Sequence, residues 1–183
     1  MSEELLVRHC SPTLAGLKTG NIFTMSYTTI ETLRNEVRSL NKIFVPKGLR
    51  VIPLRIENNR AMIYIYRPKK LKQDLENYNV CCLLKNNGYS SSNPSRCITQ
   101  LIQKLKANGD FPHEIGLFLG YPPEDVQGFI ENKAEHYKFT GYWKVYGNEK
   151  RARELFFQYK KCTAIYTDQW QKGKSIERLA VAV

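Results

Sequence analysis

The chain has 183 residues, of which 42% are hydrophobic and 25% are charged. This composition excludes an intrinsically disordered chain, and the length suits one domain with a core of its own. No apolar run approaches the roughly 20 residues of a membrane-spanning helix, and the acidic start MSEELLVRHC lacks the basic residues that open a signal peptide. We therefore expect a cytoplasmic protein that is not inserted in a membrane.

The charge balance is strongly basic. There are 28 Lys and Arg residues against 17 Asp and Glu, which gives a formal net charge of +11. Such a field attracts anionic small molecules, nucleic acids and acidic proteins. Because the basic residues are spread from Arg8 to Arg178 and mixed with acids, we expect any nucleic-acid binding to be weak and mainly electrostatic. An anionic small molecule is the favoured ligand.

The five cysteines are odd in number and irregularly spaced. A chain of this length folds without disulfides, so we predict reduced thiols. A metal site would need three or four ligands, and the cysteines and histidines form no CxxC or HxxxH pair. We therefore predict no metal site; the sequence indicates no particular cofactor or oligomeric state.

The first part of the chain predicts a short helix, a strand and a longer helix. Ser11-Pro12-Thr13 is typical of a helix N-cap followed by proline in the first turn. Asn21 to Tyr27 predicts a brief strand. Thr28 and Glu31 have the spacing of a capping box, and apolar residues at helical intervals predict an amphipathic helix from Thr29 to about Phe44.

The clearest sheet signal is a β-hairpin. Leu49 to Ile56 and Met62 to Arg67 are rich in β-forming residues, and Glu57-Asn58-Asn59-Arg60 between them is typical of a turn. Pro68 then opens a predicted helix that breaks near Asn77 and resumes after it.

The second half of the chain predicts several helices and two strands. The loop from Ser90 to Pro94, the segment from Asp110 to Glu114 and the pair Pro122-Pro123 each place proline at a helix start. Gly141 to Tyr146 predicts a strand before a long helix, and Ile176 to Val183 predicts a closing strand.

These elements together predict an α+β fold. We expect a mainly antiparallel sheet of about five strands with packed helices. The sequence shows no internal repeat, low-complexity tract or long linker, so we expect a single compact domain over residues 1–183.

Four stretches carry a resemblance to a known family. They are HCSPTLAGLKTGNIF, FPHEIGLFLGYPPEDVQGFIENK, GYWKVYGNEK and the tail from YKKC to SIERL. Together they resemble a bacterial family catalogued as domain of unknown function 3793, and the likeness covers almost the whole chain. The resemblance implies a free-standing bacterial cytosolic protein and assigns no activity, cofactor or catalytic residue.

Cys10 is a candidate nucleophile. It precedes the first predicted helix, where unsatisfied backbone N–H groups and the helix dipole would favour a thiolate, and Arg8 adds positive potential. The alternative is that Cys10 is a small buried hydrophobic residue and His9 its hydrogen-bonded neighbour.

His113 and Glu114 are candidates for a base and the carboxylate that orients it. They fall in the first turn of a predicted helix, whose dipole would keep Glu114 ionised and His113 neutral. Cys10, His113 and Glu114 are therefore the predicted catalytic residues. In the alternative, Glu114 caps its own helix and His113 alone faces a pocket.

Other polar residues are candidates for ligand binding. We assign His9, Lys18, Asn21 and Arg67 to this group. A competing cluster contains Tyr64, Tyr66 and the basic residues from Arg67 to Lys72, which could stack bases and hold phosphates. Packing of both tyrosines beneath a helix explains that pattern equally well.

The sequence favours a small-molecule-binding domain or a thiol-dependent enzyme with a pocket near Cys10 and His113. Whether the protein is an enzyme is left open. The alternative is a non-enzymatic basic module that binds RNA, DNA or an acidic protein.

Overall fold

The computed structural model describes residues 3–90, 93–107 and 111–182. In chain order its elements are α1 (Glu3–Leu14), β1 (Gly20–Ser26), α2 (Ile30–Phe44), a 3-10 turn (Val45–Lys47), β2 (Arg50–Glu57), β3 (Arg60–Tyr66), α3 (Pro68–Leu75), α4 (Tyr78–Asn86), α5 (Pro94–Lys106), α6 (Ile115–Phe118), α7 (Pro123–Glu131), β4 (Phe139–Thr140), β5 (Lys144–Val145), α8 (Glu149–Gln171) and α9 (Ile176–Leu179). Among the described residues, no helix combines the length and apolar character needed to span a bilayer.

The chain divides into two compact units. The first unit comprises residues 1–69 and 159–183, and the second comprises residues 70–158. The prediction of a single domain over residues 1–183 stays a prediction.

The first unit is built on a three-stranded antiparallel sheet with the strand order β1-β3-β2. The predicted hairpin of β2 and β3 is confirmed: Asn58 and Asn59 adopt φ values of 48° and 59°, the left-handed conformation that a two-residue hairpin turn requires. The core of this unit is a cluster of apolar side chains from its helices and strands: Leu6, Val7, Cys10, Leu14, Phe23, Leu33, Leu40, Phe44, Leu49, Val51, Ala61, Ile63, Ile65, Ile176, Leu179 and Ala180.

The α+β class is confirmed, and the size of the sheet is corrected. Within the described residues the strands form sheets of three and two strands, where about five in one sheet were expected. The strand predicted from Gly141 to Tyr146 is reduced to Lys144–Val145, which pairs with Phe139–Thr140. The predicted closing strand is wrong, because Ile176–Leu179 is a helix whose apolar residues join the core of the first unit.

Two predicted helix starts are also wrong. The first helix begins at Glu3 and contains Pro12, and the Ser11 hydroxyl donates to the Val7 carbonyl. The apolar face of Leu6, Val7, Cys10 and Leu14 is buried, which explains why the helix extends through the expected cap. In α2 the capping box is formed by Thr29 and Thr32, where Thr28 and Glu31 were expected.

The second unit contains short helices and the two-stranded sheet. Asn77 and Asn93 cap α4 and α5 by accepting backbone N–H groups through their side chains. Helix α7 contacts α4, α6 and β5, so it is the central element of this unit. The predicted loop residues Ser91 and Ser92, the predicted helix-start residue Asp110 and the end of the predicted closing strand at Val183 lie outside the described residues.

Candidate functional site

Cys10 lies inside α1, with no exposed surface, in the core of the first unit. The prediction that it precedes a helix N-terminus is therefore wrong. Burial raises the pKa of the Cys10 thiol far above its usual range, and the nearby Lys18 ammonium offsets this only in part. A buried neutral thiol is a poor nucleophile, so this environment favours the packing alternative for Cys10.

Lys18, Asn21 and His9 belong to the same unit as Cys10. Lys18 is only 3% exposed, and burial lowers its pKa to about 7. The side-chain oxygen of Asn21 accepts the Thr13 hydroxyl at 2.7 Å, and His9 is exposed. Ligand binding by these three residues stays a prediction.

Arg67 is buried and holds four backbone carbonyls. Its Nε donates to Thr13 at 2.8 Å and its Nη1 to Lys47 at 3.2 Å, while Nη2 donates to Leu14 at 2.7 Å and to Val181 at 2.8 Å. Burial lowers the pKa of the guanidinium from its usual value. Four of its five N–H groups are thus used within the fold, which leaves little capacity for a ligand.

His113 and Glu114 lie in the second unit, in the turn that precedes α6. The prediction that they occupy the first turn of the helix is therefore wrong, because Glu114 lies one residue and His113 two residues before the start of α6. His113 is exposed, whereas Glu114 is buried and its Oε1 accepts Lys104 Nζ at 3.1 Å and the Tyr89 hydroxyl at 3.2 Å. Because Cys10 belongs to the other unit, the predicted catalytic group of three stays a prediction.

A cavity of about 310 Å³ lies beside His113 in the second unit. We name it the aromatic cavity, because five of its lining side chains carry rings: His113, Tyr121, Phe129, Tyr142 and Trp143. The other lining residues are Ile115, Gly116, Asp125, Val126, Thr140, Gly141 and Lys144. Trp143 stacks on Tyr121 with ring centroids 4.6 Å apart and meets Phe156 edge-on at 4.4 Å. Such contacts fix the orientation of the indole ring.

Asp125 fixes the position of this wall through hydrogen bonds. The carboxylate is buried, and its Oδ2 accepts the indole N–H of Trp143 at 2.7 Å. Its Oδ1 accepts the backbone N–H groups of Tyr146 at 2.8 Å and Gly147 at 2.7 Å. Three donors satisfy this carboxylate, so Asp125 positions the wall of the cavity.

Close packing of two helices also shapes the cavity. A Cβ atom on Gly116 would lie 2.8 Å from a methyl group of Val126, closer than real Cβ atoms approach. Glycine at this position therefore allows α6 to lie against α7. Any larger side chain would push these two walls apart.

Lys144 supplies the positive charge of the aromatic cavity. Its Nζ donates to the Ala134 carbonyl at 2.7 Å and lies 4.6 Å from the centre of the Tyr137 ring and 5.9 Å from that of Phe129. His113 adds a second polar group, with its ring 4.9 Å from that of Phe129. The cavity thus combines aromatic side chains with a few polar groups, which is the composition typical of small-molecule pockets.

Sequence reasoning found His113 and missed the other members of this site. Tyr121, Asp125 and Trp143 lie in the strings GYPPEDVQGF and GYWKVYG, which carried the family resemblance but no recognised chemical motif. Within the residues that the structure describes, no group of three or more His, Cys, Asp or Glu side chains is arranged to hold a metal ion.

The fold and the site define an α+β protein with an aromatic, lysine-bearing cavity in its second unit. The chain belongs to the family described as "Protein of unknown function (DUF3793)", whose profile matches residues 6–180. The resemblance seen in the sequence is thereby confirmed. Searches of the curated proteins and of the solved structures found no match.

Proposed function

We propose that the protein binds a planar, anionic small molecule in the aromatic cavity. The observation that carries this proposal is that Lys144 lines a cavity in which five other side chains carry rings. Small-molecule sites are typically apolar and aromatic, with a few polar groups that fix orientation.

The size of the cavity limits the ligand. A volume of about 310 Å³ is at the lower end of the range for ligand pockets, which favours one or two fused rings. Trp143 is held by Asp125 and Tyr121, so its ring is ordered before the ligand arrives. A preorganised aromatic face lowers the entropy cost of binding.

The charge of the cavity favours an anion. One hydrogen of Lys144 Nζ is used on the Ala134 carbonyl, and no acid among the described residues pairs with this ammonium. Asp125 is the acid in the cavity wall, and its carboxylate already accepts three hydrogen bonds from the protein. A ligand carboxylate would therefore bind at Lys144.

The two alternatives have less support. A thiol-dependent enzyme would need an accessible thiolate, and Cys10 is buried with a raised pKa. A nucleic-acid surface at the predicted tyrosine and lysine cluster would need Tyr64 and Arg67, and both are buried. A cytoplasmic location with reduced cysteines is part of the proposal; all five cysteines are free thiols in the structure.

Isothermal titration calorimetry with 2-naphthoate and the full chain tests the proposal. We expect saturable binding, because the fused rings match the cavity and the carboxylate can pair with Lys144. Lys144→Met should weaken binding about tenfold or more, the effect of removing one charged hydrogen bond. The neutral analogue 2-naphthylmethanol should bind weakly to both proteins.

Lys138→Met is the matched control. Lys138 also donates to a backbone carbonyl in this unit, that of Gly147, but it does not line the aromatic cavity. It should leave 2-naphthoate affinity unchanged. No binding of 2-naphthoate, or equal losses in the two lysine variants, would refute the proposal.

A further inference from the structure

A second cavity of the second unit is a neighbour of the aromatic cavity. It has a volume of about 660 Å³, and we name it the charged cavity, because Lys104, Glu114 and Lys133 are among its lining residues. His113 and Phe129 line both cavities. The centres of these two rings are 4.9 Å apart, and His113 is exposed. The boundary between the two cavities is therefore accessible from solvent.

The acid of the charged cavity already has partners in the protein. Glu114 is buried, and its Oε1 accepts Lys104 Nζ at 3.1 Å and the Tyr89 hydroxyl at 3.2 Å. The ion pair with Lys104 offsets the negative charge of the carboxylate. The charged cavity therefore needs no cationic ligand.

The second lysine leaves the lining of the charged cavity with an excess of positive charge. Lys133 is exposed, and its ammonium pairs with no acid within residues 3–90, 93–107 and 111–182. Lys104 donates one of its three N–H groups to Glu114. Two lysines and one acid in the same lining favour an anionic group of the ligand.

A phosphate monoester fits this lining better than a second carboxylate does. At neutral pH it carries a charge of about −1.5 to −2 and three acceptor oxygens, so it can accept from two ammonium groups at once. We infer that the ligand of the aromatic cavity carries a phosphate on an arm that passes His113 into the charged cavity, where the phosphate pairs with Lys133. This inference rests on the proposed function, because the ring of the same ligand occupies the aromatic cavity.

Calorimetric titration of the full chain with 2-naphthoate and four derivatives tests the inference. The derivatives carry at C6 an ether-linked arm of two or four methylene groups, which ends in a hydroxyl or in a phosphate. Each hydroxyl probe controls for the length of the arm. For at least one arm length, we expect the phosphate probe to bind about tenfold or more tightly than its hydroxyl counterpart, the effect of one charged hydrogen bond.

Variants assign the gain to the charged cavity. Lys133→Met should remove the gain and leave the affinity for 2-naphthoate and the hydroxyl probes unchanged, because only the phosphate reaches Lys133. Lys144→Met should weaken the binding of every probe. Lys85→Met is the matched control, at an exposed lysine of the same unit that lines neither cavity, and it should keep the gain.

Two results would overturn the inference. In the first, neither phosphate probe binds about tenfold more tightly than its hydroxyl counterpart; in the second, Lys133→Met keeps the gain. If 2-naphthoate still binds with the expected dependence on Lys144 in either case, the proposed function stands and only the phosphate arm is wrong. If 2-naphthoate does not bind, the proposed function is wrong, and this inference is wrong with it.

Discussion

Trp143 donates its indole N–H to the buried Asp125 carboxylate at 2.7 Å, so one acid fixes a ring of the aromatic cavity. The same carboxylate accepts two backbone N–H groups from the segment that follows β5. Helix α7 and the two-stranded sheet are thus joined by charge-assisted hydrogen bonds, which are the stronger kind in proteins.

Asp125→Ala should strongly destabilise the protein. The change leaves three donors without their acceptor, and hydrogen bonds to charged groups contribute about 1.5–3 kcal/mol each, so we expect a loss of at least about 3 kcal/mol. Urea unfolding followed by circular dichroism measures it. Asp168→Ala is the control. Asp168 pairs with Lys172 at the exposed surface, so its replacement should reduce the free energy of unfolding far less than Asp125→Ala does. Equal losses in the two variants would contradict the structural role of Asp125.

Arg67→Lys should also reduce the free energy of unfolding, by about 2 kcal/mol or more. A lysine ammonium cannot reproduce the fork that reaches four carbonyls, so buried acceptors lose their donors. Arg60→Lys, at an exposed position at the start of β3, should leave stability unchanged in the same urea titration. Full stability of Arg67→Lys would return Arg67 to the candidate ligand-binding residues.

Alkylation should label Cys10 last. Its thiol has no exposed surface and a raised pKa, whereas Cys81 and Cys82 are partly exposed. Iodoacetamide at pH 7.5, mapped by mass spectrometry over time, should modify Cys81 or Cys82 first and Cys10 only after unfolding. Early labelling of Cys10 would instead support the thiol-dependent enzyme.

Lys18 should make stability depend on pH. Its pKa falls from 10.5 to about 7 in the folded chain, because burial disfavours the charged form. Between these values the unfolded state binds more protons than the folded state, so stability rises with pH, at up to about 1.4 kcal/mol per pH unit for this group.

The comparison of wild type with Lys18→Met isolates this effect. The free energy of unfolding of the wild type, minus that of the variant, should increase from pH 6 to 8.5. Both proteins contain Cys10, so titration of its thiol in the unfolded state cancels in this difference. Lys69 is exposed, so the free energy of unfolding of Lys69→Met should change with pH as that of the wild type does. A wild-type curve parallel to that of Lys18→Met would show that Lys18 keeps an ordinary pKa.

Local patterns predicted the elements whose signals are complete within a few residues. The hairpin was predictable because Asn58 and Asn59 favour the left-handed turn between two β-rich runs. The same local logic misplaced the start of α1, because Ser11-Pro12 imitates a cap while the burial of Leu6 and Val7 extends the helix before it. Tertiary burial outweighed the local signal there.

Local sequence patterns could not predict the aromatic cavity, because its lining residues come from separate segments of the chain. His113, Tyr121 and Trp143 lie in different elements and meet only through packing around α7. Arg67 shows the opposite case: a basic residue next to lysines resembled a ligand site, but the fold itself uses its donors.

The indole N–H signals of Trp143 and Trp170 report directly on whether the aromatic cavity binds an anionic ring compound. The chain contains two tryptophans, Trp143 in the aromatic cavity and Trp170 in the first unit, where its indole N–H donates to Glu3. In a titration of the ¹⁵N-labelled full chain with 2-naphthoate, we expect the Trp143 signal to shift saturably and the Trp170 signal to stay in place. A Trp143 signal that stays in place at saturating 2-naphthoate would contradict it.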